Sequence, residues 1–541
     1  MRKRRKATPD WAYPAALLAV LMLGLALRLY GIEWGLPSLS HPYYSYHPDE
    51  VATLTWARWL STGQIIQQQF VYGGTFYFTL LNSFVYFGDL LGASLPGINL
   101  VADSILFGRY VMTAIALVSI LLVYQIGKKL FDRRVGIAAA LLLAICPAHI
   151  MSAQCVRVDE ITALFVAAIL LFSVNILHGN KRDGVRQYVY AGIVLGAAIA
   201  TRFPLGIFGL AAVVAHVTNK QHVRTPLITV LFDRRLIAMS LCVVVAFCIL
   251  SPHIFLYFDT FVAGIKFSLS YQAPAFPDAV GRGPVYLQYL WRILPQAAGY
   301  PLFVLALAGI GIAAYRRGRE AMLMLWITIP YLLVLSFAGW LVVRYTLPLL
   351  PVLSLLAAYA LFYLIDTFPK WRLGLFAAAG MAAAITLVAD LAYFKVTAGT
   401  DVRDITSQWV QENVENGTTV VTVQGYVGDD FFNPVMPRSQ KHLAFLLRPD
   451  GTGDDPQALM GNKENEYLVL NEFLYKDLYR LGDAHPYASY RDFRVNLLSS
   501  RYKLVREFKN PVQMFGVNFS GFFSAFDYAI VNPGIQIYRR D

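Results

Sequence analysis

Between Trp11 and Phe394 the chain carries about eleven apolar stretches, near residues 11–30, 105–126, 135–151, 160–177, 188–201, 203–217, 236–257, 296–314, 321–341, 346–365 and 373–394. A helix needs about 20 mostly apolar residues to cross the hydrocarbon core of a bilayer. A chain with so many such stretches folds as a polytopic α-helical membrane protein. The whole sequence is 57% hydrophobic and 15% charged, against about 25% charged residues in an average soluble domain.

Basic clusters separate the stretches: MRKRRK at the start; Lys128, Lys129, Arg133 and Arg134; Lys181, Arg182 and Arg186; Lys220, Arg224, Arg234 and Arg235; Arg316, Arg317 and Arg319; Lys370 and Arg372. All of them fall on one side if the N-terminus is cytoplasmic and the short pair 188–217 is a true hairpin. Lysine and arginine favour the cytoplasmic side, so the pattern predicts a multi-pass protein of the inner or plasma membrane with about eleven spans. The first span lacks a small-residue cleavage site and reads as an anchor. From Lys395 onward there are 16 basic and 18 acidic residues, so the net charge of +12 belongs wholly to the membrane part. A nucleic-acid footprint would be a basic patch on a soluble face, and nucleic acid is not an expected partner. Cys146, Cys155, Cys242 and Cys248 lie in apolar runs, with no disulfide framework and no CxxC knuckle.

This alternation predicts a transmembrane domain over 1–394, with outer loops 31–104 and 258–295, and an extracytoplasmic α/β domain over 395–541. In the first loop, 50–62 and 74–92 read as interfacial helices. In the C-terminal domain, DITSQWVQENV has helical spacing with Asp404 or Thr406 as cap, and Asn416-Gly417 marks a turn. TTVVTV, EYLVLN, YKLVREF and YAIVN read as strands.

Nine basic residues fall at the outer face: Arg28, Arg58, Arg109, Arg157, Arg202, Lys266, Arg282, Arg292 and Arg344. Ionisable groups near membrane depth are costly and mark functional sites, although Arg28, Arg58 and Arg109 have the length to snorkel to the headgroups. A convergent basic set suits a phosphate or diphosphate, which arginine grips bidentately. Two acidic pairs accompany it. His47-Pro48-Asp49-Glu50 opens a helix in the first loop, and Arg157-Val158-Asp159-Glu160 opens the fourth span. Such carboxylates can divide the roles of base and substrate holder, or complement a helix dipole. A divalent metal at His47, Asp49, Asp159 and Glu160 is chemically possible, but no spacing demands one, and no cofactor is expected.

These residues resemble the GT-C membrane glycosyltransferases, and within them the family 39-like group of protein O-mannosyltransferases and the aminoarabinose–lipid A transferase. The resemblance rests on Asp49-Glu50 in the first outer loop and on GRYVMTAIALVSILLVYQIGKKLFDRRVGIAAALLLAICPAHI. It rests further on RVDEITALFVAAILLF, on RYTLPLLPVLSLLAAYAL, and on the domain from DVRDITSQWVQENVENGTTVV to IQIYRR. It implies an inverting enzyme that moves a sugar from a polyprenyl-phosphate donor to a hydroxyl of a lipid, glycan or protein acceptor at the outer face. Carried over by position, Asp49 is the base. Glu50, Arg157 and Asp159 position it or the substrate, and His47, Arg58, Glu160, Arg202, Lys266, Arg292 and Arg344 line the substrate site. Arg157, Lys266 and Arg344 are expected to contribute most to donor affinity. Arg202, in ATRFP, stands where many relatives carry lysine followed by glycine. Two rival readings stay open: a ligase or polymerase using a diphosphate-linked lipid donor, and a flippase of lipid-linked sugar.

Overall fold

A computed structural model describes residues 10–541 apart from 39, 40, 42, 43, 93–99, 180–184, 220–225, 273–279, 281, 426–430, 449–452 and 486. The basic residues at positions 2–6 and Lys181, Arg182, Lys220 and Arg224 lie outside the described residues. The first part of the chain is helical: α1 (Ala12–Leu29), α2 (Pro48–Ser61), α3 (Phe76–Gly92), α4 (Leu100–Leu130), α5 (Arg133–Ala144), α6 (Pro147–Ala153), α7 (Val158–His178), α8 (Arg186–Thr201) and α9 (Gly209–Val217). Further long helices run over Arg234–Leu250, Phe258–Gln272, Tyr300–Arg316, Arg319–Leu335, Leu350–Thr367 and Arg372–Ala398.

All eleven apolar stretches lie largely in helices. Among the described residues, five helices are long and apolar enough to span by themselves: Ala12–Leu29, Asp103–Leu130, Val158–His178, Val343–Thr367 and Pro369–Ala398. A sixth forms if α5 and α6, bent by 61° at their break, are one span. Phe203–Val217 and Tyr300–Arg316 are shorter apolar helices. The protein is thus a multi-pass helical membrane protein, and among the described residues the spans of ordinary full length are fewer than eleven. Several of the other stretches form helices of only 16 or 17 residues, as at Arg186–Thr201, Arg234–Leu250 and Arg319–Leu335, and Pro147, Pro252 and Pro301 stand at helix starts inside apolar sequence.

Small residues let the helices approach. The α4–α5 turn is closed by Gly127 and Gly136: a Cβ on Gly127 would lie 2.8 Å from the Gly136 Cα. Asp132 caps α5, its Oδ1 accepting from the amides of Arg134 and Val135 at 2.7 and 3.0 Å.

Beyond residue 400 the chain builds a mixed sheet. Strands β1 (Thr419–Gln424), β2 (Lys441–Leu446), β3 (Tyr467–Asn471), β4 (Tyr502–Phe508) and β7 (Ile535–Arg540) take the order β2-β1-β3-β7-β4. Strands β1, β2 and β3 are parallel, and β7 runs antiparallel between β3 and β4. The short pair β5 (Gln513–Met514) and β6 (Val517–Asn518) forms a separate ribbon. Three sequence expectations change here. The first helix covers Val402–Asn413 and is capped by Asp401, whose Oδ1 accepts from the Arg403 amide at 2.9 Å, in place of Asp404 or Thr406. β2 and β7 are strands that the sequence reading passed over. The YAIV of YAIVN is helical, within Phe526–Val531, and its asparagine is the C-cap. Phe526, Tyr528, Ile530 and Val531 are all buried, and one helical turn distributes them where a half-buried strand could not.

The domain is fused to the bundle. Trp340 and Val342, just before the long helix, belong to the same buried cluster as Val421, Phe526, Ile530 and Tyr538. The end of the bundle that carries Trp340 and Val342 and the C-terminal domain therefore share a core.

Candidate active site

The segment between α2 and α3 docks through close backbone approach. A Cβ on Gly74 would lie 1.8 Å from the Ala200 carbonyl oxygen, so only glycine fits there. The Phe203 amide donates to the Tyr72 carbonyl at 3.1 Å. This contact sets Tyr72 beside Arg202, whose guanidinium lies 5.8 Å from the Tyr72 ring and 4.8 Å from that of Tyr345. Arg202 Nη1 also bonds Asp159 Oδ1 at 2.6 Å.

The HPDE segment opens α2. His47 is the N-cap, and its Nδ1 accepts from the Asp49 amide at 3.2 Å. Burial, then the charges of Arg157, Arg344 and Arg109, hold the His47 imidazole well below its ordinary range. The ring is therefore neutral at physiological pH and keeps a nitrogen free to accept. Pro48 at the first helical position removes an amide that would lack a partner.

The two acids that follow have different surroundings. Glu50 is fully buried. Its carboxylate takes both Nε and Nη2 of Arg109 at 2.9 and 2.7 Å, the Ser45 hydroxyl at 2.6 Å and the Val156 amide at 2.9 Å. Arg109 Nη1 in turn donates to the carbonyls of Ile32 and Trp34 at 2.5 and 2.8 Å. Every oxygen of Glu50 is committed to holding the loop, α4 and the start of α7 together. Asp49 is half-buried, and its carboxylate makes no hydrogen bond or ion pair among the described residues. It lies within electrostatic reach of Tyr72 and Arg344. Burial, then the Asp49 and Asp159 carboxylates, push the Tyr72 phenol above its ordinary range, so it stays a proton donor.

The second acidic pair also splits. Asp159 faces Arg202, whereas Glu160 points the other way, 3.3 Å from His149 Nε2. His149 Nδ1 lies 2.6 Å from Arg28 Nη2, and Arg28 also donates to the carbonyls of Gly24 and Ala144. Successive helical residues lie about 100° apart around the axis, which separates the two carboxylates. Arg28 and Arg109 are both fully buried, so neither snorkels to the headgroups. Each turns inward to a carboxylate, a histidine or backbone carbonyls.

Arg157, at the N-cap of α7, is 2% exposed, yet none of its three guanidinium nitrogens has a hydrogen-bond partner among the described residues. Its nearest counter-charge is Asp527 Oδ1, 3.5 Å from Nη1. The same oxygen accepts from Arg344 Nη1 at 2.5 Å. Asp527 lies in the C-terminal domain and the sequence reading missed it. A usable signal existed: it is the sole acid between Glu507 and Asp541. Tyr72 and Tyr345 were missed too.

The structure thus brings together His47, Asp49, Glu50, Arg157, Asp159, Arg202 and Arg344. Lys266 lies exposed on the helix Phe258–Gln272, and Arg58 lies exposed in the last turn of α2. Arg292 is half-buried in the turn Tyr289–Ile293, close to Tyr300. Among the described residues no group of three or more His, Cys, Asp and Glu side chains is placed to hold a metal ion.

Residues 97–255 match the family described as dolichyl-phosphate-mannose-protein mannosyltransferase. Over the whole chain, the structure is similar to ArnT from Cupriavidus metallidurans in the apo state, with a TM-score of 0.52 and 13% identity, covering 97% of this chain and 98% of that one. It is also similar to the archaeal oligosaccharyltransferase AglB from Archaeoglobus fulgidus, with a TM-score of 0.50 and 13% identity, covering 96% and 78%. The chain has a GT-C fold. The resemblance read from the sequence to the GT-C glycosyltransferases is upheld, and the family match runs from α4 through α9 and the helix Arg234–Leu250, taking in Arg109, Arg157, Asp159 and Arg202. No curated protein matches the chain.

Proposed function

We propose that this GT-C chain is an inverting glycosyltransferase that moves a sugar from a polyprenyl-phosphate donor to an acceptor hydroxyl at the outer membrane face. The observation that carries the reading is the buried Arg157 guanidinium, without a hydrogen-bond partner among the described residues, beside Arg344 and the open Asp49 carboxylate. AglB, one of the similar structures, is a complex with a dolichol-phosphate, which supports a lipid-linked phosphate as the ligand class.

The chemistry follows from the geometry. Asp49 accepts the proton of the acceptor hydroxyl as its oxygen attacks the anomeric carbon from the face opposite the phosphate. The bond between the anomeric carbon and the phosphate oxygen breaks, and its electron pair leaves with the polyprenyl phosphate. Arg157 and Arg344 stabilise the charge that builds there, in a site from which water is largely excluded. Glu50 and Arg109 hold the start of α2, and hence Asp49, against α7. Asp159, Arg202, Tyr72 and Tyr345 form the wall facing the sugar. Arg58, Lys266 and Arg292 have weaker claims, and the lipid chain or headgroup is the ligand that suits their exposure.

Charge-assisted bonds to phosphate contribute about 1.5–3 kcal/mol each. Arg157→Ala and Arg344→Ala are each expected to weaken binding of a polyprenyl-phosphate lipid by roughly 10- to 150-fold, measured on purified protein in detergent. Lys266→Ala is expected to change it less than threefold. Unchanged binding in both arginine variants would remove the phosphate site from this cluster.

The reading also requires residues 395–541 outside the cytoplasm. Protease added to sealed, correctly oriented cells or spheroplasts is expected to digest this domain and leave the N-terminus intact. Protection of the domain would move the proposed site to the wrong side of the membrane.

A further inference from the structure

We infer that Asp527, supplied by the C-terminal domain, sets the charge of the phosphate cradle so that it holds a phosphodiester and lets a phosphomonoester go. The inference rests on the reading of Arg157 and Arg344 as the phosphate site.

Asp527 is a fixed anion. Its Oδ2 accepts from the amides of Val343 and Arg344 at 2.6 and 3.3 Å, and its Oδ1 meets Arg344 Nη1 at 2.5 Å and Arg157 Nη1 at 3.5 Å. The carboxylate is 1% exposed. Its neighbours are bound to the bundle on both sides. The Ser524 and Ala525 amides donate to Gln296 Oε1 at 2.9 and 2.8 Å, and the Tyr528 hydroxyl donates to the Gln296 carbonyl at 2.9 Å. Phe526 packs edge-on to Trp340, with ring centroids 5.4 Å apart. The carboxylate therefore cannot swing away when a ligand arrives.

Asp527 takes the charge of the two guanidiniums from +2 to +1; the Arg202–Asp159 pair adds none, and the Asp49 carboxylate within reach of Arg344 lowers the sum equally with or without Asp527. A polyprenyl-phosphate sugar is a diester and carries a charge of −1. The lipid phosphate left after transfer is a monoester with roughly −1.5 to −2 at neutral pH. In a desolvated site a mismatch of charge is expensive. With Asp527 in place the cradle favours the singly charged donor over the more highly charged product. Without it, the two arginines would present one more unit of positive charge and would retain the product. The half-used state of Arg157 fits this role: Asp527 neutralises the repulsion between the two guanidiniums while leaving the Arg157 donors unspent.

The test compares two probes, undecaprenyl phosphate and its monomethyl ester, binding to the purified full-length protein in detergent. Asp527→Asn keeps an oxygen for the Val343 and Arg344 amides and removes the charge. It is expected to tighten the monoester by roughly tenfold, the scale of one charge-assisted bond, and the methyl ester by much less. Asp527→Ser, also neutral, is expected to shift the ratio the same way and serves if the asparagine variant does not fold. Asp527→Glu is expected to retain the wild-type ratio. An unchanged ratio in the neutral variants, or equal weakening of both lipids, would overturn the inference and make Asp527 a structural anchor. Arg157→Ala and Arg344→Ala measured alongside separate the two failures. If they weaken both lipids while the neutral variants leave the ratio unchanged, only the charge-setting role falls. If no variant affects either lipid, the phosphate site itself is elsewhere and both readings fall.

Discussion

Asp49→Asn is expected to lower sugar transfer by about 10²- to 10⁴-fold, the scale of losing a general base, while leaving donor-lipid binding close to wild type. The asparagine keeps the size of the side chain and the backbone bond from the Asp49 amide to His47, but no longer offers a basic oxygen. Its neighbours favour this outcome. The carboxylate is half-buried and makes no hydrogen bond or ion pair among the described residues, so its loss leaves no buried charge behind. Transfer and lipid binding are to be measured on the same preparation. Full activity would remove Asp49 from catalysis. Loss of binding together with activity would make it a positioning residue and shift the search for the base to Asp159, across from Tyr72.

The second large effect concerns stability. Glu50→Gln is expected to destabilise the protein by about 3–5 kcal/mol, the cost of leaving one member of a buried ion pair without its counter-charge. Both partners are fully buried and the pair is bidentate, so Arg109→Gln should cost a similar amount. The double variant, which removes both charges, should lose clearly less than the sum of the two singles. Thermal unfolding in detergent reads the effect. Activity should fall as well, through a loosened α2 start, with less loss per correctly folded molecule than in Asp49→Asn. Wild-type stability in both single variants would show that water reaches the pair.

These expectations show how differently two neighbouring acids can act. From the sequence, Asp49 and Glu50 formed a pair near many arginines, and the GT-C resemblance marked them as functional. That much was legible because a short acidic motif at the start of a helix is a local feature. Their division of labour was not, because it depends on Arg109 arriving from α4 and the Val156 amide from the start of α7, 59 and 106 residues away. The same holds for Asp159 and Glu160, which the sequence placed together and the helix turns about 100° apart, toward different partners. YAIVN alternated well enough to read as a strand, yet it is the helix that delivers Asp527 to the bundle.

The sequence by itself determined that this is a membrane protein of many apolar helices with a charge-balanced C-terminal domain. Hydrophobic length and the spacing of basic clusters are one-dimensional properties, and the bilayer acts on them directly. It also showed arginines and two acidic pairs set close to the ends of apolar stretches. Only the tertiary structure decided which of those charges are spent. Arg28 and Arg109 are consumed by buried partners, Arg202 by Asp159 and two tyrosine rings, and Arg157 keeps its donors open beside an aspartate 370 residues away. The physical reason is that a buried charge must find compensation wherever the fold places an opposite one. That pairing is set by distance in space, which no local pattern of residues encodes.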